Sequence, residues 1–207
     1  MAIQVMYDMH LNNLDFMSEV NFIISQYDIE DIVETGTNVG LGSTQVLART
    51  GLDVATIECN PQNHAQAVEN LKAFSNVSCH LGFSMHKQRM LDFIKNDKYT
   101  IPKDIAIDSH DPLTFYSQEL NFNVDEELLD KFSNNNKKQL LFLDSAGGVG
   151  YMEFLYVMNL KPEYQKNKVI LMDDCTHVKH FRSVIDLEKQ SIKVTKILND
   201  RVCWAKL

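Results

Sequence analysis

The chain has no surplus of positive charge, no dense cysteine pattern and no long apolar run, and each absence removes a class of function. Acidic residues number 28 against 20 Lys and Arg, a formal net charge of −8. Proteins that grip nucleic-acid backbones instead carry a basic stripe, so such a partner is disfavoured. Lys137-Lys138 is the only adjacent basic pair. Cys59, Cys79, Cys175 and Cys203 show no Cys-x-x-Cys spacing, so reduced thiols are expected. Near the N-terminus nothing combines a basic flank with an apolar core, and no apolar run is long enough to span a bilayer. A cytoplasmic location away from membranes is the expectation. With 207 residues, 44% of them hydrophobic, the chain can bury one sizeable core, and a single domain over residues 1–207 is expected.

What is present is concentrated in residues 32–43. The apolar run Ile32-Val33 leads to Glu34, then Gly36, Gly40 and Gly42 follow, and Ser43 to Ala48 reads as the start of a helix. A buried strand, a glycine-rich turn and a helix N-terminus together suit a nucleotide-like ligand, because glycine lets backbone pass close to it. A purely structural turn is the competing reading. There is no Lys before Ser43, which disfavours a P-loop, and the glycine spacing departs from Gly-x-Gly-x-x-Gly. A second strand, Val54 to Ile57, ends in Glu58. An acidic side chain at that tip suits two ribose hydroxyls and disfavours a 2′-phosphate.

Further strands are expected at Asn76–Leu81, Gln139–Leu143 and Lys168–Met172, separated by helical stretches such as His64–Phe74, Met85–Asn96 and Met152–Met158. An amphipathic helix over about residues 11–28 precedes them. Strand–helix alternation implies parallel pairing, with a ligand crevice at the strands' carboxyl ends. Glu34, Glu58, Ser84, Asp144 and Asp173 all fall at such ends. At the C-terminus, Ile192–Leu198 and Arg201–Ala205 alternate with period two about Asn199-Asp200, an antiparallel hairpin.

The order Glu34-x-Gly36-x-x-x-Gly40-x-Gly42, strand, Glu58 resembles the first two motifs of the class I S-adenosylmethionine-dependent methyltransferases. The terminal hairpin also resembles the closing strands of their sheet. The resemblance implies a Rossmann-like α/β fold, a mostly parallel seven-stranded sheet with helices on both faces and a C-terminal antiparallel hairpin. It implies S-adenosylmethionine as cofactor, held by Glu34 (near the methionine part), Gly36, Thr37, Gly40, Gly42, Ser43, Glu58 (on the ribose) and Ser84.

After the fourth strand the chain reads Asp144-Ser145-Ala146-Gly147-Gly148, without the Asp-Pro-Pro-aromatic or Asn-Pro-Pro-aromatic motif of base- and glutamine-directed N-methylases. Asp144 with Asp173-Asp174 after strand five resembles instead the metal-dependent small-molecule O-methyltransferases. That likeness implies methyl transfer to an oxygen of a small molecule, with Mg²⁺ on Asp144, Asp173 and Asp174 as a candidate second cofactor. Three oxygen ligands suit such a hard cation. Asp173 or Asp174 serving as a cap for a helix beginning near Thr176 is the plainer alternative. No histidine follows Asp144, unlike the Asp-Gly-x-His of macrolide-type relatives. Asp144 and His177 are the candidate catalytic groups, with His177 and His180 expected on the helix after strand five.

Residues 97–138 form an insertion longer than an ordinary connection. A substrate lid offering Phe115, Tyr116 and Phe122 is one reading; a peripheral insertion or the interface of a homo-oligomer is another. A short helix is expected over Asp125–Phe132. Two other functions stay open: an NAD-dependent oxidoreductase, favoured by the glycines and Glu58, and a non-catalytic ligand-binding protein with the same fold.

Overall fold

A computed structural model describes residues 11–107 and 120–207. One sheet of seven strands runs through it in the order β3-β2-β1-β4-β5-β7-β6. Its strands are β1 (Asp31–Thr35), β2 (Asp53–Glu58), β3 (Val77–Leu81), β4 (Gln139–Leu143), β5 (Lys168–Met172), β6 (Val194–Ile197) and β7 (Val202–Lys206). The first five pair in parallel, and β7 runs antiparallel to both β5 and β6. The expected fold is therefore the observed one. Leu198, Asn199 and Asp200 turn the hairpin with positive φ, so Arg201 leaves the pairing and β7 starts one residue later than the alternation suggests.

Strand parity divides the core. Val33, Leu141, Leu143, Ile170, Met172, Cys203 and Ala205 pack on one face, while Ile32, Leu140, Phe142, Val169, Leu171, Val202 and Trp204 pack on the other. Near-continuous apolar strands are what a sheet covered on both sides requires. The eight helices among the described residues are α1 (Leu14–Tyr27), α2 (Ser43–Ala48), α3 (Pro61–Leu71), α4 (Lys87–Asn96), α5 (Leu128–Ser133), α6 (Gly147–Met158), α7 (Pro162–Gln165) and α8 (Phe181–Lys189). Helix α1 starts at the Asn13 cap, whose side chain accepts from the Phe16 amide at 2.8 Å. It lies over the second face with Phe16, Val20 and Ile23 buried. No helix among the described residues is long and apolar enough to cross a membrane.

The insertion is tied down at both described ends. Asp97 makes a two-pronged ion pair with Arg182 of α8 (2.9 and 2.5 Å), and the guanidinium lies between Tyr99 and Tyr151, 3.6 and 3.8 Å from the ring centroids. Stacking and a planar fork are what arginine supplies and lysine does not. Farther on, Ala106 pairs with the segment before α8, donating to Thr176 O and accepting from the Val178 amide. On the return, Asp125 O accepts from Phe83 N, and Leu120 is buried. Phe122 packs against the core, while Phe115 and Tyr116 lie outside the described residues. The short helix begins later than expected, at Leu128.

Candidate functional site

A cavity of about 360 Å³ opens at the carboxyl ends of the parallel strands, within the usual size for a small-molecule site. Of the expected cofactor residues, Gly36, Thr37, Gly42, Ser43, Glu58 and Ser84 line it, as do Asp144, Asp173 and Asp174. Glu34, Gly40 and His177 are not among its lining residues. Asn38, Asn63, Ser145, Lys179 and Arg201, which motif reasoning passed over, are.

The turn after β1 is shaped by two glycines. Gly36 sits at φ +81°, and a Cβ there would stand 2.5 Å from the carbonyl oxygen of Asp144. Only glycine lets the β1 and β4 exits meet so closely. Gly40, at φ +72°, faces Leu71 of α3, so its role is to seat the turn on that helix. Between them, the Asn38 amide donates to Glu58 Oε2 at 2.7 Å, and the Asn60 amide donates to Oε1 at 2.8 Å. Two backbone donors thus fix the Glu58 carboxylate on the cavity wall, and a carboxylate can accept about four hydrogen bonds in all. An acidic acceptor fixed by backbone amides beside a glycine-containing turn can receive the hydroxyls of a ribose.

Glu34 is placed differently from the expectation. Its side chain is fully buried on the α2 face, where Oε1 accepts from Ser43 Oγ (2.6 Å) and Oε2 from Thr44 Oγ1 (2.7 Å) and Thr56 Oγ1 (2.6 Å). It grips the start of α2 from behind the turn, which it thereby holds in position.

Beneath the cavity, Glu153 of α6 is fully buried and accepts from Thr35 Oγ1 (2.8 Å) and Ser145 Oγ (2.7 Å), with Ser84 as a further partner. Burial pushes its carboxyl up to about 7, against those hydrogen bonds and the charge of Lys179. A folded-state pKa above the ordinary 4.5 means that the associated stability is complete below pH 4.5 and lost as pH rises through 7. The full loss is on the order of 3 kcal/mol. The non-ionisable Glu153→Gln chain is therefore expected to exceed the wild type in urea stability at pH 8, with the gap closing at pH 5. A gap that widens toward acid would contradict this sign.

At the β4 and β5 ends, Asp144, Asp173 and Asp174 can bring one oxygen each within 4.8 Å of one another. Two cations already stand among them. Lys179 Nζ lies 2.6 Å from Asp144 Oδ1 and 3.1 Å from Asp174 Oδ2. Arg201 takes both Asp173 oxygens at 2.9 and 2.7 Å and approaches Asp174 at 3.3 Å. Neither Asp173 nor Asp174 caps a helix, since α8 begins only at Phe181. Burial would lower the Lys179 ammonium, but the three carboxylates outweigh it and keep it charged. Burial raises Asp144 well above the carboxylate range against the pull of Lys179, with Asp173 adding to the rise. Asp174 goes the other way, because Lys179 and Arg201 overcome its burial. As a donor set the trio does not fit a divalent cation: five of its six oxygens face Lys179 or Arg201, whose two positive charges stand against its three carboxylates.

The two histidines precede α8 instead of lying on it. The His177 ring accepts from the Lys179 amide through Nδ1 at 3.3 Å, away from the cavity wall. His180 is buried between Leu143 O and Ser183 Oγ, both 3.1 Å away. Burial and the Lys179 charge lower it to about 3, so it stays neutral and bolts the α8 start to the end of β4.

No family model matches the chain, and no curated protein matches its sequence. Solved structures do. It is similar to an O-methyltransferase from Bacillus cereus in complex with SAH, at TM-score 0.53 and 16% identity over 100% of this chain and 88% of that one. It is also similar to the O-methyltransferase TomG from Streptomyces achromogenes, involved in tomaymycin synthesis and in complex with SAM, at TM-score 0.51 and 14% identity over 92% and 78% of the two chains. At these identities the likeness defines the fold, that of the class I methyltransferases.

Proposed function

We propose that the chain binds S-adenosylmethionine in this cavity and passes its methyl group to an oxygen of a small molecule. The observation that carries the reading is the Glu58 carboxylate, fixed on the cavity wall by the Asn38 and Asn60 amides beside the Gly36–Gly42 turn. Glu58 would take the ribose hydroxyls, while Thr37, Ser43 and Ser84 line the rest of the cavity with hydroxyls already bonded to Thr56, Glu34 and Glu153. When bound, the cofactor supplies an electrophilic methyl group on a sulfonium, so the chain needs only to align a nucleophile and accept its proton. Asp144 is the carboxylate placed to take that proton, since it lines the cavity at the end of β4. His177, which does not reach the cavity wall, is not assigned this role. Both likenesses above are to O-methyltransferases, which favours oxygen as the acceptor atom.

Glu58 would equally suit the ribose of NAD, so the two cofactors are best compared directly. Calorimetric titration of the wild-type chain is expected to show one-to-one binding of S-adenosylhomocysteine and no saturation with NAD. Turnover of labelled methyl donor across a panel of hydroxylated small molecules then separates an enzyme from a ligand-binding relative. Binding of NAD in preference to S-adenosylhomocysteine would overturn the reading.

A further inference from the structure

The carboxylates that the resemblance offers to a metal are organised around a lysine. Lys179 is buried, its side chain 8% exposed, and its ammonium contacts two of the three carboxylates directly. Its backbone is fixed on several sides: the flanking Val178 amide donates to Ala106 O, and His180 is anchored to Leu143 O. Its stem lies over Gly150, where an added Cβ would stand 2.7 Å from Lys179 Cγ. The third carboxylate, Asp173, is 3% exposed and has both oxygens on Arg201, which the C-terminal hairpin delivers. A dication entering here would have to displace an ammonium from a 2.6 Å contact and break a bidentate guanidinium pair, while standing beside two like charges. Hard cations need several oxygens whose charge is not already met.

We infer that Lys179 is the resident cation of this site, holding the place between Asp144 and Asp174 that a divalent metal would take, and that the native chain binds no such metal there. The ammonium then offsets one of the two carboxylate charges it contacts and holds Asp144 at the cavity wall. The inference does not rest on methyl transfer, since it concerns the charge arrangement alone.

The test is Mn²⁺ titration of the wild-type chain and of Lys179→Met, followed by calorimetry and by electron paramagnetic resonance of free Mn²⁺. Methionine keeps an unbranched stem and removes the charge. The wild type is expected to show no saturable site up to about 1 mM Mn²⁺, the weak end of protein sites for hard cations. Lys179→Met is expected to gain one site at least roughly tenfold tighter than that, with a Mn²⁺-dependent rise in melting temperature. Adding Asp144→Asn to Lys179→Met should remove the gained site. One equivalent of Mn²⁺ on the wild type, lost in Asp173→Asn, would overturn the inference. A folded Lys179→Met that gains no site would overturn it too. Should that variant not fold, the wild-type titration decides alone. No arm requires cofactor or acceptor, so a failure here leaves the methyl-transfer reading standing.

Discussion

Replacing Glu58 by alanine is expected to weaken S-adenosylhomocysteine binding about 100-fold while the chain stays folded. Two hydroxyl donors to one carboxylate make charge-assisted hydrogen bonds worth about 1.5–3 kcal/mol each. Even at the lower figure their joint loss is about 3 kcal/mol, or two orders of magnitude in affinity. The substitution also strips acceptors from the Asn38 and Asn60 amides. Asn38 lines the cavity and Asn60 is only half-buried, so water can take over at both amides and the stability cost is about 1–2 kcal/mol. Glu58→Gln, which keeps an acceptor but loses the charge, should fall between the two, near tenfold. Calorimetry with urea denaturation of the same samples checks both quantities. An alanine variant that binds as tightly as the wild type would remove Glu58 from the cofactor site.

Glu34→Ala is expected to do the converse. Here the loss falls mainly on stability, on the order of 4 kcal/mol, with cofactor affinity in the folded fraction reduced far less than in Glu58→Ala. Ser43, Thr44 and Thr56 are all buried and all direct their hydroxyls at this one carboxylate. A second layer depends on it, since the Thr37 and Thr56 hydroxyls share a 2.5 Å hydrogen bond. Truncation leaves three buried donors to find new acceptors, at about 1–3 kcal/mol each before relaxation, and adds a cavity. Urea midpoints and slopes report the result. An unchanged midpoint would mean that Glu34 does not hold the turn. The two variants would therefore separate the glutamates: on the proposed function Glu58 at the β2 tip serves binding, while Glu34 near the β1 tip is bonded within the scaffold.

That separation shows where sequence reasoning reached and where it stopped. Apolar runs ending in acidic residues located four of the five parallel strands, because a sheet covered on both faces leaves no room for polar residues until the strand ends; the half-buried edge strand β3 ends instead at Gly82. The terminal hairpin was equally legible from its period-two alternation. Parity was harder. Glu34 and Thr35 are neighbours on β1, yet Glu34 faces α2 and Thr35 donates to Glu153 of α6. An acidic residue near a strand end carries no mark of which way it points. The available signal was the company Glu34 keeps: Ser43, Thr44 and Thr56 lie in otherwise apolar surroundings and, once buried, need a common acceptor. Glu153, alone among Tyr151, Met152, Phe154 and Leu155, posed the same question of a buried charge.

The cations of the site were invisible for a different reason. Arg201 alternates correctly with Cys203, so it reads as a strand residue, but three consecutive positive-φ residues swing it out toward Asp173. Lys179 lies between two histidines that draw more attention as catalytic groups, in a stretch that reads as helix. The helix starts later, at Phe181, and the preceding turns aim Lys179, not His177, at the carboxylates. Side-chain direction in irregular segments depends on contacts with Ala106 and Leu143 that are distant in sequence.

The most direct measurement is a crystal structure of the chain grown with S-adenosylhomocysteine. The ligand is expected in the cavity at the strand ends, with its ribose hydroxyls on Glu58, its backbone contacts along Gly36–Gly42, and Lys179 still between Asp144 and Asp174. A ligand bound elsewhere, or one in this cavity with Glu58 turned away from it, would rule out this cofactor site.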